Sequence, residues 1–266
     1  MHEDSFDSCR HFYDSVNKRD LILTSSLDRH VKVIHFKEKL SEIILDLNFE
    51  NIESVIINTA YFINNKIMIP FAFHYKKGRI VFYDIKGLKY FRELEDPGFV
   101  LCLNGYYHEN SEIYYAIVSN MEGIYVYNIN NYTLYHKFTP KYYRKNNSFT
   151  EGHIIEKDEK TILCGPSFSS GSLYLWDLFK KSLIDIIILS GGITDICPWD
   201  NNYIFGTLIG GMKDKFVLIN LNNKGIEKTF DDIKDNILYG IKLLRPIIGD
   251  FLITFSSAGK LYLYKM

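Results

Sequence analysis

The chain has 266 residues, 47% hydrophobic, 15% aromatic and 24% charged, with a formal net charge of -1. That length holds one large or two ordinary domains and supplies an ample core. A balance so near neutrality excludes bulk attraction to nucleic acid and an acidic-tail role, so any electrostatic recognition must come from a local patch.

The four cysteines, Cys9, Cys102, Cys164 and Cys197, are far apart and have neither paired spacing nor a histidine placed to complete a metal knuckle. Small apolar fillers in strands is the role expected of them. The opening Met1-His2-Glu3-Asp4-Ser5-Phe6-Asp7 is acidic where a secretory signal is basic and then apolar. The longest apolar stretch, near Leu183, is cut by Asp185 and falls short of the roughly 20 residues of a membrane-spanning helix. A soluble intracellular protein, cytoplasmic or nuclear, is the expectation.

In chain order, six paired apolar runs stand out, each with a turn between its halves. They cover 21–36, 67–85, 115–129, 163–178, 204–221 and 251–264. The fourth is the clearest: Leu163-Cys164, a small-residue stretch from Gly165 to Gly171 read as a turn, and then Leu173-Tyr174-Leu175-Trp176-Asp177. Two runs across such a turn make an antiparallel hairpin. Aligned on the position of Trp176, the units place Ile34, Tyr83, Tyr127, Trp176, Ile219 and Tyr264 in register, with spacings from 43 (176 to 219) to 49 (34 to 83).

Between these pairs lie shorter apolar runs. An outer one follows each aligned position, as in Ile43–Leu47, Leu134–Phe138 and Ile184–Ile188, and an inner one precedes the next pair, as in Phe99–Leu103, His153–Ile155 and Ile193–Cys197. Turn signals such as Asn64-Asn65, Asn130-Asn131, Asn201-Asn202 and Asn222-Asn223 separate them. Four strands per unit of 43 to 49 residues is the pattern of propeller blades. The expected fold class is therefore all-β: a single β-propeller over 1–266, with about six visible four-stranded blades whose cores fall at 5–47, 52–94, 98–138, 149–188, 192–230 and 237–266. The last blade lacks a visible outer strand. It closes with three strands, belongs to a longer seven-bladed protein, or receives a strand from a partner.

The units resemble WD40 repeats. Ser25-Ser26-Leu27-Asp28-Arg29-His30-Val31-Lys32-Val33 is similar to that family's hairpin, and Trp176-Asp177 matches its namesake dipeptide, with Tyr83-Asp84, Tyr127-Asn128 and Ile219-Asn220 as softened forms. The family's Asp in the hairpin turn is met by Asp28 alone, the other units carrying Lys77, Met121, Ser170, Lys213 and Ala258 there. The blades are thus expected to rely on apolar packing.

The chemistry-bearing residues form no catalytic order: there is no His-Glu-x-x-His, no Gly-x-Ser-x-Gly and no Gly-rich loop leading into a helix. No metal, cofactor or enzymatic activity is expected, and His30, His35 and His74 read as exposed or capping residues. The resemblance instead implies a non-catalytic interaction scaffold that binds a protein or peptide on its channel face or rim. It also places on one face Arg29, Lys76, Lys77 and the link holding Lys141, Tyr142, Tyr143, Arg144 and Lys145, which become the candidate partner-binding residues. The alternative is recognition of nucleic acid or a phosphoinositide through the basic and aromatic loop 140–147, which the near-zero net charge disfavours.

Overall fold

The computed structural model describes residues 6–14, 17–26, 28–36, 41–50, 55–56, 59–64, 66–73, 77–84, 89–94, 99–140, 148–210, 214–230, 238–244, 251–256 and 261–265. Side chains in parts of the strands, among them most of 6–11, 71–73, 77–78, 89–93, 238–244 and 251–256, are outside that description. The fold class is all-β, with successive blade-type antiparallel sheets as in a β-propeller.

Six sheets appear among the described residues, each built from consecutive strands. The first is β1 (Phe6–Asp14), β2 (Arg19–Ser26), β3 (His30–Phe36) and β4 (Ser41–Asn48) in that order. In the second, β5 (Val55–Ile56) and β6 (Tyr61–Ile63) both pair with β7 (Lys66–Phe73), which continues to β8 (Lys77–Asp84) and β9 (Lys89–Leu94). The third holds β10 (Val100–His108), β11 (Ile113–Asn120), β12 (Ile124–Asn128) and β13 (Thr133–Phe138). The fourth holds β14 (His153–Lys157), β15 (Lys160–Ser167), β16 (Ser172–Asp177) and β17 (Ser182–Ile188), and the fifth β18 (Gly192–Pro198), β19 (Tyr203–Ile209), β20 (Lys215–Asn220) and β21 (Gly225–Phe230). The sixth has three described strands, β22 (Leu238–Leu244), β23 (Phe251–Ser256) and β24 (Leu261–Lys265).

Ile34, Tyr83, Tyr127, Trp176, Ile219 and Tyr264 all lie on the third full strand of their sheets, β3, β8, β12, β16, β20 and β24. The repetition extends to a feature invisible in the residue pattern. The ladder between third and fourth strands shifts register at Val33/Ile34, Val81/Phe82, Leu175/Trp176 and Leu218/Ile219. First strands repeat a shift too, at Phe6/Ser8, Val100/Cys102, Ile193/Asp195 and Tyr239/Ile241. Such bulges raise the local twist, and their recurrence at equivalent places gives successive sheets the same coiling.

The central strands carry the core because both their faces are covered. Every side chain of β16 is buried, whereas the fourth strand β17 alternates between exposed and covered positions. This is why the central runs read as nearly continuous apolar segments and the outer ones as broken patterns.

The chain divides into two compact units, Met1–Asn120 with Tyr125–Lys137 and Met121–Ile124 with Phe138–Met266. In the first, Leu21, Leu23, Val31 and Val33 pack against Ile67, Ile69 and Val81, and Met68, Ile80 and Phe82 meet Leu103, Ala116 and Val118. In the second, Cys164, Leu173 and Leu175 of the fourth sheet interleave with Ile193, Ile196, Ile204 and Val217 of the fifth. Each fully buried side chain of this kind contributes about 1.5–3 kcal/mol of transfer free energy.

One local expectation is corrected. The small-residue stretch from Gly165 is not all turn, because β15 runs on to Ser167, with Gly165 opposite Tyr174 and Pro166 opposite Leu173. A Cβ on Gly165 would lie 2.7 Å from Trp176 Cζ3, so the glycine makes room for the indole. Pro166 is tolerated because the regular ladder from β14 ends at Cys164, beyond which that side of β15 is met by the isolated Phe149–Ser167 bridge. Among the described residues no helix is long and apolar enough to cross a membrane, which says nothing of a β-barrel.

Candidate functional site: a tryptophan cleft and a charged turn

Of the residues singled out in the sequence, Arg29 is fully described. Lys77 is placed by its backbone alone, opposite Phe73 at the start of β8. Lys76, Lys141, Tyr142, Tyr143, Arg144 and Lys145 lie outside the described residues.

Arg29 sits in the β2–β3 turn with a left-handed backbone (φ 65°). Its amide donates to the Ser26 carbonyl at 3.1 Å and its carbonyl accepts from the Phe49 amide at 3.1 Å. Its Nη1 donates to the Glu50 carbonyl at 3.1 Å. The guanidinium therefore braces the exit of β4 against the turn.

The neighbouring His30 is drawn into the same network. Its Nδ1 lies 2.6 Å from Asp46 Oδ1 and its Nε2 3.4 Å from Glu50 Oε1, while Lys32 Nζ lies 3.6 Å from Asp46 Oδ2. Asp28 Oδ1 accepts the His30 amide at 2.9 Å. The hydrogen bond with Asp46 raises the His30 pKa against the opposing effect of burial. Asn48 and then His30 hold the Glu50 carboxyl below its ordinary range. Opposite charges at this turn answer one another within the sheet, so its chemistry is that of a self-contained clasp.

A different geometry occurs between the fourth and fifth sheets. An open cleft of about 420 Å³ is lined by Ile154, Ile155 and Glu156 of β14 and by Pro198, Trp199, Asp200 and Asn201, where β18 turns into β19. The turn is fixed by its own aspartate: Asp200 Oδ1 accepts the amides of Asn202 at 2.7 Å and Tyr203 at 2.9 Å. The amides of Trp199 and Asp200 in turn donate to the Tyr203 carbonyl at 2.9 and 3.3 Å. An Asx residue bonding the backbone two and three positions on is what makes such a turn rigid.

Trp199 is half-buried, its ring held edge-on against Phe205 with centroids 5.6 Å apart at 85°. On the opposing wall the Thr161 hydroxyl lies 3.1 and 3.0 Å from the two oxygens of Glu156. The adjacent Lys157 is engaged elsewhere, donating to Asn202 Oδ1 at 2.9 Å and to Asn222 Oδ1. The cleft is thus lined by a tryptophan, two isoleucines, a proline and two acidic residues, with the Asp200 turn held by its own hydrogen bonds. Among the described residues no group of three or more His, Cys, Asp or Glu side chains is arranged to hold a metal ion.

No protein-family model matches this chain, and no curated protein does. Its geometry and its sequence pattern therefore carry the functional reading. Glu156, Trp199 and Asp200 were not among the residues singled out from the sequence. The available signal was Pro198-Trp199-Asp200-Asn201, in which a large aromatic stands among turn formers. Trp199 packs in part against the buried cluster of Cys197, Phe205 and Phe216.

Proposed function

We propose that this chain is a non-catalytic protein-interaction scaffold that receives a segment of a partner protein in the cleft beside Trp199. The observation that carries the reading is the cleft itself: a half-buried indole on a turn locked by Asp200, facing Ile154 and Glu156 of the neighbouring sheet. Tryptophan is the residue type most enriched at interface hot spots, and a recess between rigid sheets loses little entropy when it is filled. The resemblance to WD40 repeats supports the same class of function as an analogy of fold.

The test is selection of a displayed library of random dodecapeptides on the folded full-length chain. Enriched peptides should bind the wild-type chain and lose about tenfold or more in affinity on Trp199→Ala, a typical loss at a hot spot. Circular dichroism melts would verify that the variant remains folded. A library that yields no binder, or binders indifferent to Trp199, overturns the proposal.

A further inference from the structure

We infer that Asp185 holds the outer edge of the fourth sheet closed, and that the strand it keeps away is β17 of a second copy of this chain. Among the described residues β17 pairs with β16 alone, so its other side is a sheet edge. The Leu189 amide donates to the Gly171 carbonyl at 2.7 Å, and the pairs Leu173–Ile187 and Leu175–Asp185 follow in the same ladder at two-residue steps. Hydrogen-bonded and unbonded pairs alternate in an antiparallel ladder. The amides and carbonyls of Ile186 and Ile188 therefore point away from β16, along the edge.

That edge is more lightly charged than its counterparts. The other fourth strands carry at least two ionisable side chains each, such as Glu42 and Asp46 on β4 and Glu227 and Lys228 on β21. β17 carries Asp185 alone, and every residue from Leu183 to Ile188 besides it is Leu or Ile. Ile184, Ile186 and Ile188 are 41%, 38% and 78% exposed. A β-branched apolar run with a single charge, set on an open edge, is a template for strand pairing. It is also self-complementary: with Ile186 on a two-fold axis, Ile188 of each copy meets Ile184 of the other in an antiparallel ladder.

Asp185 removes the group on which that ladder would centre. Its Oδ1 accepts the Ile186 amide at 2.8 Å, and its Oδ2 lies 2.7 Å from Nζ of Lys224, in the turn between β20 and β21 of the fifth sheet. The bond from Lys224 holds the Asp185 carboxyl below its ordinary range against the effect of burial, so the side chain is charged at neutral pH. An approaching strand finds the central donor occupied and a carboxylate that must be desolvated. One acidic side chain thus acts as the gatekeeper of the whole strand.

Sedimentation equilibrium of the full chain and its variants tests this. Wild type should show no association that Ile188→Lys abolishes. Asp185→Val frees the Ile186 amide in both copies and removes both charges, so dimerisation should strengthen about tenfold or more over wild type. Asp185→Asn keeps an acceptor for the amide but lacks the charge, and should fall between the two. Adding Ile188→Lys to Asp185→Val should return the monomer, which assigns the association to β17 rather than to another surface. Circular dichroism melts establish which variants are folded. Folded variants no more associated than wild type, or an association that Ile188→Lys leaves intact, would overturn the proposal. So would a wild-type dimer that Ile188→Lys dissociates. Loss of the fold in both Asp185 variants would overturn it too, since the carboxylate would then serve the sheet itself and not its edge.

Discussion

The buried carboxylate of Glu151 accepts the backbone amide of Ile196 at 3.2 Å through one oxygen, while the other lies 2.7 Å from His153 Nε2. Glu151 precedes β14 of the fourth sheet, and Ile196 belongs to β18 at the start of the fifth, so one side chain ties two sheets together. Removing the acceptor leaves a buried N–H to be desolvated without return, which costs about 1–3 kcal/mol. Glu151→Ala should therefore lower the urea midpoint markedly. Glu151→Gln, which keeps an oxygen for the amide, should lose less.

The His30 clasp makes stability depend on pH with a definite sign. Asp46 raises the folded-state pKa of His30 above its ordinary value of about 6.5. The imidazolium thus stabilises the fold fully below about 6.5, and its contribution is lost as pH rises through the higher folded-state value. Asp28, Arg29, Lys32, Asp46 and Glu50 are the charged residues around it. Melting temperature should fall between about pH 6 and pH 8, and His30→Gln should flatten that slope. NMR titration of Asp46→Asn should show the His30 pKa moving down.

Gly171 ends the β15–β16 turn at φ 60°, where its carbonyl accepts the Leu189 amide at 2.7 Å. A Cβ there would stand 2.6 Å from the Gly191 carbonyl oxygen and 2.9 Å from that of Leu189. The left-handed conformation alone costs an L-residue roughly 1–2 kcal/mol, and both obstructing atoms are backbone. Gly171→Ala should cost at least about 1–2 kcal/mol, read as a fall in melting temperature by calorimetry.

Cys164 is wholly buried in the core of the fourth and fifth sheets, and burial pushes its thiol pKa far up. A thiol so held is neither accessible nor ionised. Iodoacetamide at neutral pH should leave Cys164 unmodified in the folded chain and label it only after denaturation. Half-buried Cys102, whose Sγ accepts a hydrogen bond from Arg10 Nη2 at 3.5 Å, should react first of the two. Mass spectrometry of the tryptic peptides distinguishes the sites.

What the sequence made legible is what depends on neighbours along the chain. Apolar runs broken by Asn and Gly turns locate the strands, and the spacing from Ile34 to Tyr264 identifies the third strand of every sheet, because burial on both faces leaves a periodic mark in residue type. The bulges at Ile34, Trp176 and Ile219 leave no such mark, since an added residue alters pairing without altering composition. The short strand β6, which pairs with β7 alongside β5, was not expected either.

The site was less legible. Arg29 reads from the sequence as a candidate partner-binding cation, and in the structure one nitrogen of its guanidinium donates to the carbonyl of Glu50, 21 positions away. Glu156 and Trp199 line one cleft because two sheets lie side by side, a relationship that neither strand periodicity nor turn chemistry encodes.

Among the described residues, each sheet is built from strands that follow one another along the chain. During synthesis on the ribosome a sheet can therefore close as soon as its last strand has left the exit tunnel, without waiting for downstream residues. Because loop closures between adjacent strands are short, each pairing is entropically cheap compared with a long-range one. The nascent chain then meets its hydrophobic partners in the order in which they are made, so apolar strands such as β16 spend little time exposed before the next sheet arrives to cover them.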